Sequence, residues 1–345
     1  MKTLIAMSGG VDSSVAAHLL LKAGQECVGV TMRLHGIACG TDGERDAAAV
    51  AAELGLPHSV YDFEGDFEKE VIRPFAETYL AGGTPNPCIL CNRRLKFGAL
   101  YEKARELGCD RVATGHYARI AYSEKYGRRV LMRGRDLSKD QSYVLYGLTR
   151  EQIEHTLFPI GELPKEEVRT LARALGLSSA ERKDSQDICF VPDGDYAAFL
   201  ERYLNQTFEE GDFVDGDGNL LGRHRGIVRY TVGQRKGLGL SLPAPLYVAE
   251  NDPESNTVLL LPEEKLFKNE VTVCDTVLSA VDALYEGMRV EAKIRYSQAA
   301  MPARVCGVKD TTFRLVFDTP VRAPAKGQAA VLYDGEIVIG GGTIC

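Results

Sequence analysis

Residues 6–14 read AMSGGVDSS and overlap the end of the first hydrophobic run of the chain, residues 3–7. The run is typical of a buried strand, and apolar residues recur at helical spacing in the segment behind it, which stops at Gly24. The sequence therefore predicts a strand, a glycine turn and a helix. The start of a helix has unpaired N–H groups and a partial positive charge, and adjacent glycines let the backbone approach an anion closely. We expect a phosphate site here.

The loop matches neither of two common phosphate motifs, because it lacks the lysine of a Walker P-loop and the spacing of a G-x-G-x-x-G fingerprint. Instead, SGGVDSS resembles the PP-loop of ATP pyrophosphatases, which cleave ATP between its α and β phosphates. The alternative interpretation is a plain strand-to-helix turn capped by Asp12 or Ser13. Two glycines and Asp-Ser-Ser directly after an N-terminal strand favour the nucleotide site.

Length and composition indicate a globular protein of two or three domains, with 345 residues, 45% hydrophobic and 26% charged. No apolar run approaches the roughly 20 residues of a membrane span, and the chain enters a strand without a signal segment. Its nine cysteines are scattered and do not form the framework of a secreted disulfide protein. We expect a cytoplasmic protein with reduced thiols and no membrane partner.

The net charge of −7 argues against a generally basic nucleic-acid surface, but the charge is unevenly distributed. Residues 125–135 contain five Lys or Arg and no acid, and residues 222–239 again contain five and no acid. Such stretches are either solvated faces or contacts for a polyanion.

The order of elements predicts an α/β fold: strands alternate with helices up to about residue 114, which implies a doubly wound parallel sheet. Ligands of such sheets lie beyond the carboxyl ends of the strands. A mostly helical segment follows, and short alternating segments then predict all-β structure to the end of the chain. We expect a PP-loop catalytic domain with a helical extension (1–200), a small central β-rich domain (201–264) and a C-terminal β-barrel (265–345).

The stretch TPNPCILCNRRLKF places Cys88 and Cys91 in a predicted proline-rich loop, ahead of a helix over 93–107. The helix N-terminus and the two arginines that follow are expected to lower the thiol pKa values. Cys189 lies far downstream, in DSQDICFVP. A C-x-x-C pair alone fits a redox pair, half of a zinc site or coincidence, and the sequence has no second C-x-x-C or H-x₃₋₅-H to complete a zinc site.

Motifs along the whole chain resemble the tRNA-specific 2-thiouridylases in order and spacing: SGGVDSS, GVTM, NPCILCNRRLKF, ATGHYARI, KDQSYVL, KDSQDICF, YTVGQRKGLG, IRY and AVLYDGEIVIGGG. The resemblance implies an ATP- and Mg²⁺-dependent sulfurtransferase that adenylates the C2 carbonyl of the wobble uridine (U34) of tRNA. Sulfur then replaces the oxygen, and AMP and pyrophosphate are released. It also implies a sulfur donor, either a cysteine desulfurase or a sulfur relay protein.

The same resemblance assigns residues to roles. The residues expected at ATP are Ala6, Met7, Ser8, Gly9, Gly10, Val11, Asp12, Ser13, Met32 and Gly115. Those expected at tRNA are Asn86, Pro87 and Cys88 at the target base, with His116, Lys139, Asp140, Gln141, Arg295, Tyr296 and Gln328. Cys91 is the expected nucleophile and Cys189 the expected persulfide carrier. Two of these residues have ordinary alternatives, since Tyr296 could be a core residue and His116 a hydrogen-bonded histidine at a strand end.

Many members of the family have Asp where this chain has Cys88. Cys88, Cys91 and Cys189 together are three thiolates, which suit a [4Fe–4S] cluster with one labile iron that could bind hydrosulfide. The competing route uses a persulfide on Cys189 and leaves a Cys91–Cys189 disulfide. Both routes need Cys91 and Cys189, and only the cluster needs Cys88. The segment MRLHGIACGTDGERD (32–46) also departs from the family, where it is usually longer and more acidic.

Two other functions share the loop: a PP-loop ligase or synthetase that adenylates a small molecule, and a non-catalytic nucleotide-binding sensor. Neither has an evident use for three cysteines or for a basic, glycine-rich β segment.

Overall fold

The computed structural model of the chain describes residues 1–34, 41–182 and 188–345, apart from the side chains of residues 41 and 42. The strands of its first part are β1 (Lys2–Ala6), β2 (Glu26–Arg33), β3 (His58–Asp62), β4 (Arg111–Ala113), β5 (Ala118–Ser123), β6 (Arg128–Arg133) and β7 (Thr156–Leu157). Five of them form a parallel sheet in the order β3-β2-β1-β4-β7. The predicted parallel α/β fold is confirmed.

Helices cover both faces of this sheet. Successive residues of a strand point to opposite faces, so each strand contributes side chains to two cores. On β1, Leu4 packs in a core with Phe67 and Phe75, whereas Ile5 packs in a second core with Ala17 and Leu20. The helices are α1 (Val11–Lys22), α2 (Thr41–Glu53), α3 (Glu64–Phe67), α4 (Arg73–Leu80), α5 (Pro87–Leu90), α6 (Leu100–Glu106), α7 (Ser142–Leu145), α8 (Arg150–Glu154), α9 (Lys165–Ala174) and α10 (Tyr196–Leu204).

Two helices each contain a π-helical stretch. Glu68–Ile72 joins α3 to α4, and Cys91–Ala99 joins α5 to α6, so that residues 87–106 form one continuous helix. The wider turn of a π-helix disturbs the regular backbone bonds, and Gln152 donates its amide to the carbonyls of Arg93 and Phe97, at 2.9 Å each.

The predicted helix start at residue 93 is wrong. The helix begins at Pro87, so that Cys88 and Cys91 lie inside it rather than in a loop. Proline suits the first helical position because its fixed φ is already helical and its missing N–H would have no intrahelical partner there. The prolines therefore indicate a loop only as far as Asn86, the residue that precedes Pro87.

The rest of the chain is largely β-structure, as predicted. A four-stranded sheet has the order β10-β11-β8-β9, and six further strands run in the order β12-β15-β14-β13-β16-β17, with β12 also pairing with β17 to close a barrel. Their bounds are β8 (Gly211–Val214), β9 (Leu220–His224), β10 (Tyr247–Asp252), β11 (Thr257–Leu261), β12 (Phe267–Leu278), β13 (Arg289–Lys293), β14 (Met301–Lys309), β15 (Thr312–Arg322), β16 (Ala329–Asp334) and β17 (Ile337–Ile344).

An antiparallel hairpin of β5 and β6 extends the barrel sheet from the first domain, with Met132 opposite Ile337. The turn and the second strand of this hairpin lie within the basic stretch 125–135, whose charges were a candidate polyanion contact. Instead, Lys125 pairs with Asp334, Arg128 pairs with Asp282, and the Arg133 guanidinium lies over the Tyr333 ring at 4.2 Å. Much of this charge therefore docks the hairpin on the barrel.

No helix among the described residues is long and apolar enough to cross a membrane.

Candidate active site

The hydroxyl groups of the loop between β1 and α1 form hydrogen bonds with the backbone of the same loop. Ser13 and Ser14 both donate to the carbonyl of Gly10, at 3.0 and 2.8 Å, and the Ser8 N–H donates to Ser13 Oγ at 3.3 Å. Ser8 is exposed and Gly10 is half-buried. The hydroxyls and N–H groups at the start of α1 thus form a concave, donor-rich surface of the kind that binds phosphate.

Two glycines let other segments reach this loop. Gly9 has φ +73°, and a Cβ there would lie 2.9 Å from Asp46 Cβ. Gly115 follows β4, and a Cβ there would lie 2.6 Å from the backbone of Asp12 and Ser13. Any larger residue at 115 would push the strand end away from the start of α1.

Met32 lies near the end of β2, beside β1, and is buried. The structure therefore brings Met32, Gly115 and the loop 6–13 to the same carboxyl edge of the sheet, where the sequence places the nucleotide. Within the segment 32–46, residues 35–40 lie outside the described part of the chain.

Asp12 makes the strongest contacts of the loop. Lys165 Nζ lies 2.8 Å from both of its carboxylate oxygens, and the Tyr117 hydroxyl donates to Oδ1 at 2.7 Å. Arg182 Nη1 donates to the carbonyl of Gly9 at 3.2 Å. Sequence analysis missed Lys165, Tyr117 and Arg182, because none lies in a phosphate motif and two come from the distant helical extension.

Cys88 and Cys91 lie in the first two turns of the helix 87–106. Cys91 is buried, while Cys88 is open to solvent on one side. Burial raises the pKa of both thiols above the ordinary value, and the charge of Lys96 opposes the rise at both. The predicted lowering of the thiol pKa is wrong, because desolvation disfavours the thiolate more than nearby positive charge favours it.

Lys96 reaches the cysteine face because of the π-helical stretch, in which residues five apart follow one another along the axis. Arg93 and Arg94 instead line a cavity of about 460 Å³ between the helix and the barrel. That cavity also includes Asn86 and Pro87, two of the three residues expected at the target base.

Cys189 is exposed and is separated from residues 183–187 by Ile188 alone, so that most of the motif KDSQDICF lies outside the described residues. Free thiols in the described chain include Cys27, Cys88, Cys91, Cys109, Cys274, Cys306 and Cys345. In the same residues, no three His, Cys, Asp or Glu side chains are close enough together to hold a metal ion. The three candidate cluster ligands are therefore not gathered as a set in this structure.

The expected tRNA residues fall into two groups. Tyr296 is exposed, stacks edge-on against Tyr143 at 5.9 Å and has the Lys293 ammonium 5.4 Å from its ring. The Tyr296 hydroxyl donates to the carbonyl of Asp140 at 3.4 Å, and partial burial raises the pKa of Tyr296, with smaller contributions from Asp140 and Cys88. Tyr296 and Lys293, which sequence analysis missed, thus present a ring and a cation beside Asp140. Lys139 is half-buried in the adjoining segment.

Several other members of the set make internal contacts. The carboxylate of Asp140 accepts from the N–H groups of Gly134 and Ser142, and the Gln141 side chain accepts from the Tyr117 N–H. Arg295 donates to the carbonyls of Val232 and Ala323. Gln328 donates to the carbonyl of Thr84, and the His116 ring is hydrogen-bonded to the Thr114 hydroxyl. Burial lowers the pKa of His116 well below its usual value, so that the ring is neutral.

In the second basic stretch, 222–239, the arginines divide by their partners. Arg223 pairs with Asp212 and Arg229 with Glu201. Across the described parts of the chain, the exposed side chains of Arg225, Arg235 and Lys236 have no ion-pair partner. The last two lie in the irregular segment between Arg229 and β10.

The chain matches three protein-family models over nearly its full length. They are described as tRNA methyl transferase HUP domain (residues 1–193), tRNA methyl transferase PRC-barrel domain (197–261) and aminomethyltransferase beta-barrel domain (269–344). The tRNA-specific 2-thiouridylase MnmA of Clostridioides difficile is 47% identical over 352 residues, covering 99% of this chain and 98% of the relative. That of Acetivibrio thermocellus is 48% identical over 354 residues, covering 99% of both chains.

Among solved structures, a 4-thiouridine synthetase in complex with RNA and ATP is 21% identical, with a TM-score of 0.40, over 59% of this chain and 50% of that one.

A parallel sheet with a lysine-free glycine loop at its carboxyl edge, matched by a HUP-domain model, defines a nucleotide-binding domain of the PP-loop class that uses ATP. The β-domains behind it match in the same order as in the full-length relatives. The chain belongs to the family of tRNA-specific 2-thiouridylases, as the sequence motifs predicted.

The close approach at Gly115 predicts that Gly115→Ala destabilises the protein by about 1–3 kcal/mol, because a methyl group there overlaps backbone atoms that cannot move aside. ATP binding should weaken in parallel. Thermal unfolding and ATP titration measure the two effects. Gly65→Ala is the matched control, since a Cβ at Gly65 meets nothing within 4 Å. Equal melting temperatures for the two variants would contradict the prediction.

The raised thiol pKa predicts that Cys88 reacts slowly with iodoacetamide at neutral pH and that its rate rises as the pH approaches the thiol pKa from below. Lys96→Met should shift that profile to higher pH, because it removes the positive charge that stabilises the thiolate. Site-resolved mass spectrometry measures the rates. The control is Lys103→Met on the same helix, where the lysine pairs with Glu106. A profile that Lys103→Met moves as far as Lys96→Met would refute the role of Lys96.

Proposed function

We propose that this chain converts the wobble uridine of tRNA to 2-thiouridine, by adenylating the C2 carbonyl with ATP and then replacing its oxygen with sulfur. The single observation that carries the proposal is the arrangement of the catalytic domain. A PP-loop and a helix with Cys88 and Cys91 in its first turns belong to one domain, in a chain that is 47% identical to a 2-thiouridylase over its full length.

In the first step, the C2 oxygen of the uridine attacks the α-phosphorus of the MgATP substrate. A bond forms between this oxygen and phosphorus, the bond to the bridging oxygen of the β-phosphate breaks, and pyrophosphate leaves with the electron pair. The N–H groups at the start of α1 and the hydroxyls of Ser8 and Ser13 are suited to hold the leaving pyrophosphate.

In the second step, sulfur replaces the activated oxygen. In the relay route, a donor such as a cysteine desulfurase leaves a persulfide on Cys189, and its outer sulfur attacks C2 as AMP departs. The Cys91 thiolate then attacks Cys189 Sγ, which forms a Cys91–Cys189 disulfide and releases the thione. Two reducing equivalents from a thiol reductant reset the enzyme. A cluster route would also need Cys88.

The loop without a Walker lysine predicts adenylation rather than phosphorylation. With tRNA and ATP labelled at the α- and γ-phosphates, one AMP and one pyrophosphate should appear for each thiouridine formed. Chromatography of the nucleotides and of digested tRNA measures both. Formation of ADP and orthophosphate, or equal turnover with a small molecule and no tRNA, would favour the synthetase alternative.

The proposed sulfur path predicts that Cys91→Ser and Cys189→Ser each abolish thiolation but leave ATP binding intact. Cys306→Ser is the control, because that thiol belongs to barrel strand β14. Thiolation by either of the first two variants at the wild-type rate would reject the path. Cys88→Ser separates the two routes, since loss of both iron and activity indicates a cluster and retention of activity indicates the relay.

The division of the second basic stretch predicts which of its charges bind RNA. Arg235→Gln with Lys236→Gln should weaken tRNA binding and reduce its salt dependence, by a slope of about 0.7–0.9 for each phosphate that the variant no longer neutralises. Arg223→Gln should have little effect, because Arg223 is paired with Asp212. Filter binding at several salt concentrations measures both. An unchanged salt slope in the double variant would remove this segment from the interface.

A further inference from the structure

A lysine reaches the lysine-free loop from outside it. Lys165 is the first residue of α9, and its side chain is only 6% exposed. Its ammonium bonds both oxygens of Asp12 at 2.8 Å, while its backbone N–H donates to Asp136 at 3.1 Å. A buried ammonium is costly unless it is paired, so Lys165 and Asp12 stabilise each other in this position.

The position of Asp12 explains why such a partner is needed. Asp12 is the only acid in the loop 6–14 and lies in the first turn of α1, where the N–H groups of a helix have no intrahelical partner and attract anions. An unpaired carboxylate there would repel a polyphosphate and compete for the same N–H groups. With Lys165 beside it, the pair has no net charge, and the hydrogen bond from Tyr117 fixes the direction of Oδ1.

The segment 165–182 contacts the loop at two more points. Ser179 donates to the Ser14 hydroxyl at 3.0 Å, and Arg182 donates to the carbonyl of Gly9. Below these contacts, Val168 and Ala172 of α9 pack in one apolar cluster with Val15 of α1. Residues 165–182 of the helical extension therefore pack against both the loop and α1.

We propose that Lys165 is a positioning residue of the ATP site: its ammonium cancels the charge of Asp12 and holds that carboxylate aside, so that the loop can accept the triphosphate. The helical extension thereby supplies the counter-charge of Asp12 from outside the sequence of the loop. The inference rests on the proposed function only for the use of ATP.

Titration of the tRNA-free protein with ATP tests this role by comparing Lys165→Met, Asp12→Asn and the double variant. Lys165→Met should weaken ATP binding by about tenfold or more, because it leaves the half-buried carboxylate of Asp12 without its counter-charge beside the triphosphate. Asp12→Asn combined with Lys165→Met should recover most of that loss, since an amide carries no charge. Lys165→Arg should stay close to the wild-type affinity.

Lys22→Met is the matched control, because Lys22 is an exposed lysine at the far end of α1. Melting temperatures are recorded for every variant, and if Lys165→Met does not fold, the double variant is compared with Asp12→Asn alone and should bind ATP about equally. Wild-type affinity in Lys165→Met, or a double variant that binds no better than Lys165→Met, would overturn the proposal. A wild-type protein that binds ATP but does not thiolate tRNA would refute the proposed function and leave this result standing.

Discussion

The carboxylate of Asp12 places a negative charge at the centre of a surface that is suited to bind anions. Distant parts of the catalytic domain contact this carboxylate and compensate its charge. Lys165 comes from α9 and Tyr117 from the segment after β4, so that three separate parts of the chain meet on two oxygen atoms. Each contact satisfies a group that would be costly to bury alone. The same contacts fix α9 against α1 and hold the start of α1 open toward the edge of the sheet. Stability and the capacity to bind a polyphosphate thus depend on the same ion pair.

The loop could be predicted from the sequence because its signal is local: a short apolar run, two glycines and helix-capping side chains lie within a dozen residues. The parallel sheet follows from the alternation of strands and helices, for the same reason. Lys165 could not be predicted, because a lysine at the start of an amphipathic helix is ordinarily exposed. Only the crossing of α9 over α1 turns its side chain inward, and that crossing depends on packing between residues such as Val15 and Val168, which are distant in sequence.

The cysteine helix shows a different limit of sequence analysis. The C-x-x-C spacing keeps Cys88 and Cys91 close in the chain whether they lie in a loop or in a helix, so their proximity was predictable. Their acidity was not, because the balance between desolvation and nearby charge depends on which way each side chain points. Arg93 and Arg94 point into the cavity beside the barrel, and the π-helical stretch brings Lys96 to the cysteines instead. A protonated thiol is also protected against oxidation. A negatively charged partner or substrate that binds near Lys96 would directly change the balance between thiol and thiolate.

The attachment of the barrel to the catalytic domain decides how these sites face one another. The hairpin of β5 and β6 continues the barrel sheet, and Gln328 reaches from the barrel to the backbone of Thr84, just before the cysteine helix. Arg295 binds the carbonyls of Val232 and Ala323, which connects the barrel to the segment that carries Arg235. Because these bonds engage backbone atoms, they fix distances between domains rather than only neutralising charge. An RNA bound to the exposed charges of that segment would therefore meet the cysteine helix at a set separation. Arg295 and Gln328, which the sequence motifs assign to the tRNA surface, hydrogen-bond to backbone carbonyls that link the barrel to its neighbours.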